Sequence, residues 1–147
     1  MTDTGITTSA DDLAAQLKGT LVRPGDADYD EARALYNAMI DKRPALIVRA
    51  AGVDDVVAAV NFGRENGLDI AIRGGGHNGP GLASVDDGLV IDLSQMNGVE
   101  VDADNRIAEI QGGALFGDVD AATNAHGLAT PGGIISTTGA GGLMLGG

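Results

Sequence analysis

A histidine stands in a stretch of nine residues of which five are glycine, Arg73-Gly74-Gly75-Gly76-His77-Asn78-Gly79-Pro80-Gly81. Glycine admits positive φ and lets a ligand come close to the main chain. Successive N–H groups in such a turn can form a nest that binds an anion, and Arg73 would add positive charge. The alternative is a tight turn at the end of a strand. His77 is the one strongly nucleophilic side chain here, so it could serve as general base, ligand or covalent anchor. Equally, it could be an exposed loop histidine hydrogen-bonded to its neighbours.

Other motifs give less. Gly74, Gly76 and Gly79 match G-x-G-x-x-G, but a dinucleotide fingerprint needs a helix to begin there and face the pyrophosphate. The next residues, Pro80-Gly81-Leu82-Ala83-Ser84-Val85-Asp86-Asp87-Gly88, read as a loop instead. No P-loop pattern is present. The second histidine, His126, stands alone in Asn124-Ala125-His126-Gly127 and fits a helix end, where the dipole favours its charge. With no partners at ligand spacing, no metal site is expected. Asp86-Asp87, Asp102 and Asp104 read as solvated turns, and a Ser/His/Asp triad lacks a nucleophile elbow.

The elements around the loop follow from periodicity. Residues 1–10 read as a loose polar tail, and Ser9 or Asp11 could cap a short helix through Lys18 with Leu13 and Leu17 on one face. Leu21-Val22-Arg23-Pro24-Gly25-Asp26 is an extended piece ended by a turn. Residues 27–42 predict a helix with Ala32, Leu35, Ala38 and Met39 on one side, closed by Pro44. Residues 45–50 predict a strand and residues 53–66 a helix with Val56, Val57, Val60 and Phe62 apolar, stopped at Asn66-Gly67. Residues 68–72 predict a buried strand. This βαβ unit implies a parallel pair, so the glycine loop leaves the C-terminal end of a parallel strand, where open α/β sheets place ligands.

Beyond the loop the pattern changes. Residues 89–93 predict a strand, and residues 99–102 and 106–110 a hairpin around Ala103-Asp104-Asn105. Residues 114–125 predict a helix stopped by Gly127. The whole reads as α+β: a small parallel βαβ lobe followed by an antiparallel β lobe. Gly139-Ala140-Gly141-Gly142-Leu143-Met144-Leu145 looks like a loop entering a helix that is never built, so the chain reads as a C-terminally incomplete fragment, with a flexible glycine tail as the alternative.

The totals narrow the function classes. At 147 residues the chain can bury one ordinary core. A net charge of -12 repels phosphate polymers, and aromatics are only 3% with no Trp, so no nucleic-acid partner is expected. Aspartate far outnumbers glutamate and Lys18 and Lys42 are the only lysines, a composition open to salt adaptation or to ordinary acidity. Without cysteine there is no disulfide, thiolate metal site or cysteinyl cofactor link. The N-terminus lacks a signal-peptide pattern, and no run approaches the roughly 18 apolar residues of a membrane span. The expectation is a soluble, cytoplasmic protein with no membrane partner.

Four stretches in order carry a resemblance: residues 73–78, then Gly88 through Met96 with Asp92 and Ser94, then Ile110-Gln111-Gly112-Gly113-Ala114 through Gly117-Asp118-Val119, then Thr137-Thr138-Gly139 through Gly147. The series resembles the PCMH-type FAD-binding domain of berberine-bridge-enzyme-like, FAD-linked oxidases of the vanillyl-alcohol oxidase superfamily, in its N-terminal portion. The resemblance implies a domain division into a tail and short helix over 1–20 and the FAD-binding domain over 21–147. It implies FAD as cofactor, bonded at its 8α-methyl to His77 alone, since the cysteinyl link of some members has no cysteine here. It implies cofactor contacts from Arg73, Gly74, Gly75, Gly76, His77, Asn78, Thr137, Thr138, Gly139, Gly141, Gly142 and Leu143. The implied activity is oxidation of an alcohol, sugar or alkaloid-like carbon by hydride transfer to the flavin, with oxygen or another acceptor. No catalytic residue is assigned, because the family's bases lie in later segments. A non-catalytic nucleotide- or anion-binding module, or an inactive fragment, is the alternative.

Overall fold

The computed structural model describes residues 9–146. The expected loose tail lies outside the described residues except at Ser9 and Ala10, as does Gly147. The elements in chain order are α1 (Ala10–Gln16), β1 (Thr20–Val22), α2 (Tyr29–Arg33), β2 (Leu46–Arg49), α3 (Val53–Glu65), β3 (Ile70–Arg73), β4 (Leu89–Asp92), β5 (Val99–Asp102), β6 (Ile107–Ile110), α4 (Phe116–Asn124) and α5 (Ala140–Gly146). α1 is fixed by a capping box: the Asp12 N–H donates to Ser9 Oγ at 3.1 Å and the Ser9 N–H to Asp12 Oδ2 at 3.3 Å.

β1 to β4 form one sheet in the order β1-β2-β4-β3. β4 runs parallel to both β2 and β3, while β1 is antiparallel to β2. The βαβ unit is therefore present, but its two strands are not neighbours. β4, expected after the change of pattern, is inserted between them. Burial explains the order. All four residues of β4 are buried, and a strand that is apolar on both faces needs an interior position. In β3 only Ala71 and Arg73 are buried, while Ile70 and Ile72 are 37% and 51% exposed. The expected buried strand at 68–72 is thus an edge strand with one covered face.

Each face of the sheet has its own core. Leu46, Val48, Leu89 and Ile91 pack against Leu13 of α1 and Ala59 and Phe62 of α3. Ile47, Ala71 and Val90 pack on the other side against Val22, Tyr29 and Ala32. Full burial of each large side chain contributes roughly 1.5–3 kcal/mol. α3 departs from the expected stripe. Its buried residues are Asp55, Ala59, Phe62 and Gly63, whereas Val57 and Val60 are exposed. Small residues face the sheet because the fit is close: a Cβ on Gly63 would lie 2.6 Å from Ile70 Cδ1.

The helix expected over 27–42 forms only as α2. Its C-cap, Ala34, is already extended, and Met39, expected in the buried stripe, is almost fully exposed. Side chains compete for the backbone here. Asn37 Oδ1 accepts the Met39 N–H at 3.2 Å, and Asn37 Nδ2 donates to the Gly79 carbonyl at 3.1 Å. The Tyr36 N–H donates to the Gly76 carbonyl at 3.3 Å. Residues 34–40 therefore exchange helical bonds for bonds to the glycine loop.

β5 and β6 form the expected antiparallel hairpin. It closes on Asp102, whose carboxylate accepts from the Asn105 N–H and side-chain amide, holding the carboxyl below its ordinary pKa. The hairpin packs through Val99 and Ile110 on Phe116 and Val119 of α4 and Ala140 of α5. α4 ends as expected, with Gly127 at φ +67°. The second glycine stretch corrects its expectation: α5 is built, after Gly139 bridges to Leu115 and the Ala140 N–H donates to Ala114 at 2.9 Å. Among the described residues no helix is long and apolar enough to cross a membrane.

Candidate functional site

β3 delivers the glycine loop to the C-terminal edge of the sheet, and α5 brings the second glycine stretch against it. Between them lies a cavity of about 480 Å³. It is lined by residues 74–80, Leu82 and Ala83 on one side and by Thr138, Gly139, Gly142, Leu143 and Gly146 on the other, with Ile72 of β3. None of these lining residues is an Asp, Glu, Lys or Arg, and His77 is the one imidazole among them.

The two stretches touch through backbone. A Cβ on Gly75 would sit 2.3 Å from Gly139 N, and one on Gly139 would sit 2.3 Å from Gly75 N. No side chain fits at either position without parting the walls. Gly76 turns the loop at φ +68°. Its outer limb is tied down by Lys42, whose Nζ donates to the Gly81 and Ser84 carbonyls at 2.9 Å each. Asn78 Oδ1 accepts the Leu82 N–H at 2.9 Å. By contrast, the N–H groups of Gly75, Gly76 and His77 have no protein acceptor among the described residues.

His77 is held from two sides. Its Nε2 lies 3.1 Å from Thr137 Oγ1. Its ring stacks on Tyr36, with centroids 3.9 Å apart and planes at 18°. Tyr36 is the site residue that sequence reasoning missed, since it sat inside an apolar pattern of helical spacing. Asn37 beside it was the one available signal of a break.

Arg73 is placed differently from its sequence neighbours. Side chains alternate across a strand, so Arg73 and the cavity-lining Ile72 leave β3 on opposite faces. The Arg73 guanidinium is buried, donating from Nη2 to Asp92 Oδ2 at 2.9 Å and from Nη1 to the Ala34 carbonyl at 3.4 Å. The expected contribution of its charge to the cavity is not seen: Asp92, directly opposite in register, takes it. Thr137 and Gly141 also lie off the lining. Thr137 meets His77, and a Cβ on Gly141 would come within 2.8 Å of the Gly112 carbonyl. Gly74, Gly75, Gly76, His77, Asn78, Thr138, Gly139, Gly142 and Leu143 are brought together as cavity lining. Among the described residues no group of three or more His, Cys, Asp or Glu could hold a metal ion.

The model of the family described as FAD binding domain matches residues 44–147. This chain belongs to the FAD-binding domain family. The domain is 38% identical over 132 residues to the FAD-linked oxidoreductase YgaK of Bacillus subtilis, covering 90% of this chain and 29% of that protein. It is 35% identical over 131 residues to (R)-6-hydroxynicotine oxidase of Paenarthrobacter nicotinovorans, covering 89% and 29%. Among solved structures, BBE-like 1 of Physcomitrella patens superposes with a TM-score of 0.82 at 27% identity, covering 90% of this chain and 29% of that one. The likeness to berberine-bridge-enzyme-like proteins read from the sequence is thus borne out, as is the α+β architecture. The chain spans about three tenths of the length of these relatives.

The FAD-binding domain's cavity fits the group its family binds. FAD carries a flat ring system, apolar at its dimethylbenzene end, and a dianionic pyrophosphate. The unpartnered N–H groups of the loop suit the anion, and the absence of Cβ atoms lets the main chain approach. At Gly79, Gly142 and Gly146 an added Cβ would meet nothing within 4 Å, so these positions leave open space. Leu82, Ala83 and Leu143 supply apolar wall.

Proposed function

We propose that this chain is the FAD-binding portion of a flavin-dependent oxidoreductase that oxidises an alcohol, sugar or similar small molecule by hydride transfer to FAD held covalently through His77. The observation that carries the reading is the setting of His77. The only imidazole in the cavity lining stands on the glycine loop, held by Thr137 and Tyr36, facing a cavity whose other residues carry no charge. Bound FAD supplies the hydride acceptor, and the protein supplies orientation and electrostatics.

The residues divide the work. The N–H groups of Gly74, Gly75, Gly76, His77 and Asn78 receive the pyrophosphate and adjoining flavin, and Thr138, Gly139, Gly142 and Leu143 line the cofactor from the other side. Gly141 keeps α5 close enough to do so, while Arg73 acts through Asp92 as a strut beneath the loop. The FAD-binding domain extends over 21–147, with 1–20 as a tail and short helix. Attachment at His77 would replace one C–H bond of the 8α-methyl and the imidazole N–H by a C–N bond, and the two protons and two electrons released would pass to dioxygen as hydrogen peroxide. The substrate of the whole protein is a small molecule, and oxygen or another acceptor takes the electrons in turnover.

The test is flavin retained after acid precipitation. The protein as expressed should give a yellow, fluorescent pellet, and His77→Ala a colourless one with flavin in the supernatant. Acid-stable flavin in His77→Ala overturns the assignment.

A further inference from the structure

We propose that Tyr36 is a positioning residue for His77, and that the irregular segment after α2 is folded to hold it there. The inference rests on reading His77 as the flavin anchor. Tyr36 is 69% exposed, so its ring gains little from burial. Residues 36 and 37 nevertheless tie this segment to the loop on both sides of the histidine. The Tyr36 N–H donates to the Gly76 carbonyl, and the side chain of Asn37 donates to the Gly79 carbonyl. Arg73 takes the Ala34 carbonyl that the ended helix leaves over. The helix is abandoned at the point that lets Tyr36 lie flat on the imidazole.

An imidazole has two torsions to fix. The Thr137 hydroxyl fixes the position of Nε2, and the Tyr36 face fixes the plane of the ring. Nδ1 has no protein partner among the described residues, so the pair holds the ring without engaging both nitrogens. The Tyr36 hydroxyl has none either, which makes the ring face the working part. Misplacing a reacting group by about 1 Å can cost about 100-fold in rate.

The experiment adds FAD to flavin-free protein and follows acid-stable flavin with time in wild type, Tyr36→Ala, Tyr36→Phe and His77→Ala. In parallel, the His77 ring protons are observed by NMR before FAD is added. Tyr36→Ala should slow incorporation about tenfold or more and abolish the upfield ring-current shift of the His77 protons. Tyr36→Phe should keep both, and the melting temperature should hold in all variants. Incorporation at the wild-type rate in Tyr36→Ala, with none in His77→Ala, overturns this inference alone. An unchanged His77 shift in Tyr36→Ala overturns it too. Acid-stable flavin in His77→Ala overturns the anchor reading and this inference with it.

Discussion

Replacing Gly75 by alanine tests the contact that closes the cavity. The new Cβ would lie 2.3 Å from Gly139 N and 2.7 Å from Gly139 Cα, with Leu115 Cδ2 at 3.2 Å. Two of those atoms are main chain, so relief requires the two glycine stretches to part by about an ångström. Forcing a methyl into such a site costs about 1–3 kcal/mol, and the loss of unfolded-state freedom returns about 0.4–1 kcal/mol. The net loss is on the order of 1–2 kcal/mol, which for a domain of this size lowers Tm by about 2–8 °C. Gly79→Ala is the control: nothing lies within 4 Å of its Cβ, so its Tm should stay level or rise slightly. Gly139→Ala meets the same contact from the other side. Once either substitution has parted the stretches, the second should cost less, so the double variant should lose less than the sum. Thermal unfolding by circular dichroism reads the four variants against wild type. Equal melting temperatures for Gly75→Ala and Gly79→Ala, or strict additivity in the double variant, would refute the argument.

Two further perturbations concern buried charges. Arg73→Met strands the Asp92 carboxylate in the core and should cost about 3–5 kcal/mol in denaturant unfolding, while adding Asp92→Asn should recover part of the loss. Asp55 accepts the N–H groups of Lys18, Gly19 and Ala51 at 2.8–2.9 Å. Burial works to raise its carboxyl pKa, but those three donors outweigh it and hold the group below its ordinary value. Its stabilisation is therefore fully present above the unfolded pKa of about 3.9 and is lost as pH falls through the lower folded value. Asp55→Asn should lower stability at neutral pH and flatten that acid limb; an unchanged acid limb would contradict the assignment.

Much of the chain was legible because its signals are local. β2, α3, the hairpin and the stops at Gly67 and Gly127 all follow from periodicity and turn chemistry within a few residues. Strand order was not, because it depends on comparing β4, buried throughout, with β3, covered on one face. The length of α2 misled for a related reason. Ala32, Leu35, Ala38 and Met39 keep helical spacing, yet the acceptors that draw Tyr36 and Asn37 away belong to Gly76 and Gly79, some forty residues on. Arg73 looked like a ligand for the loop it adjoins. Its partner, Asp92, becomes visible only when β3 and β4 are paired in register. A helix was legible after Gly139, but not that these residues build it: its three glycines suit a place where the backbones of Gly112 and Gly75 come close.

The bond between His77 and Thr137 spans 60 residues. At a synthesis rate of about 5–20 residues per second, Thr137 is made roughly 3–12 seconds after His77. Through that interval the histidine loop exists on the ribosome without its opposing wall. Gly75 has no Gly139 to rest on, and of the two partners of the His77 ring only Tyr36 has yet been made. The order of synthesis therefore bounds the order of assembly: neither the His77–Thr137 bond nor the Gly75–Gly139 contact can form before the second glycine stretch has been made.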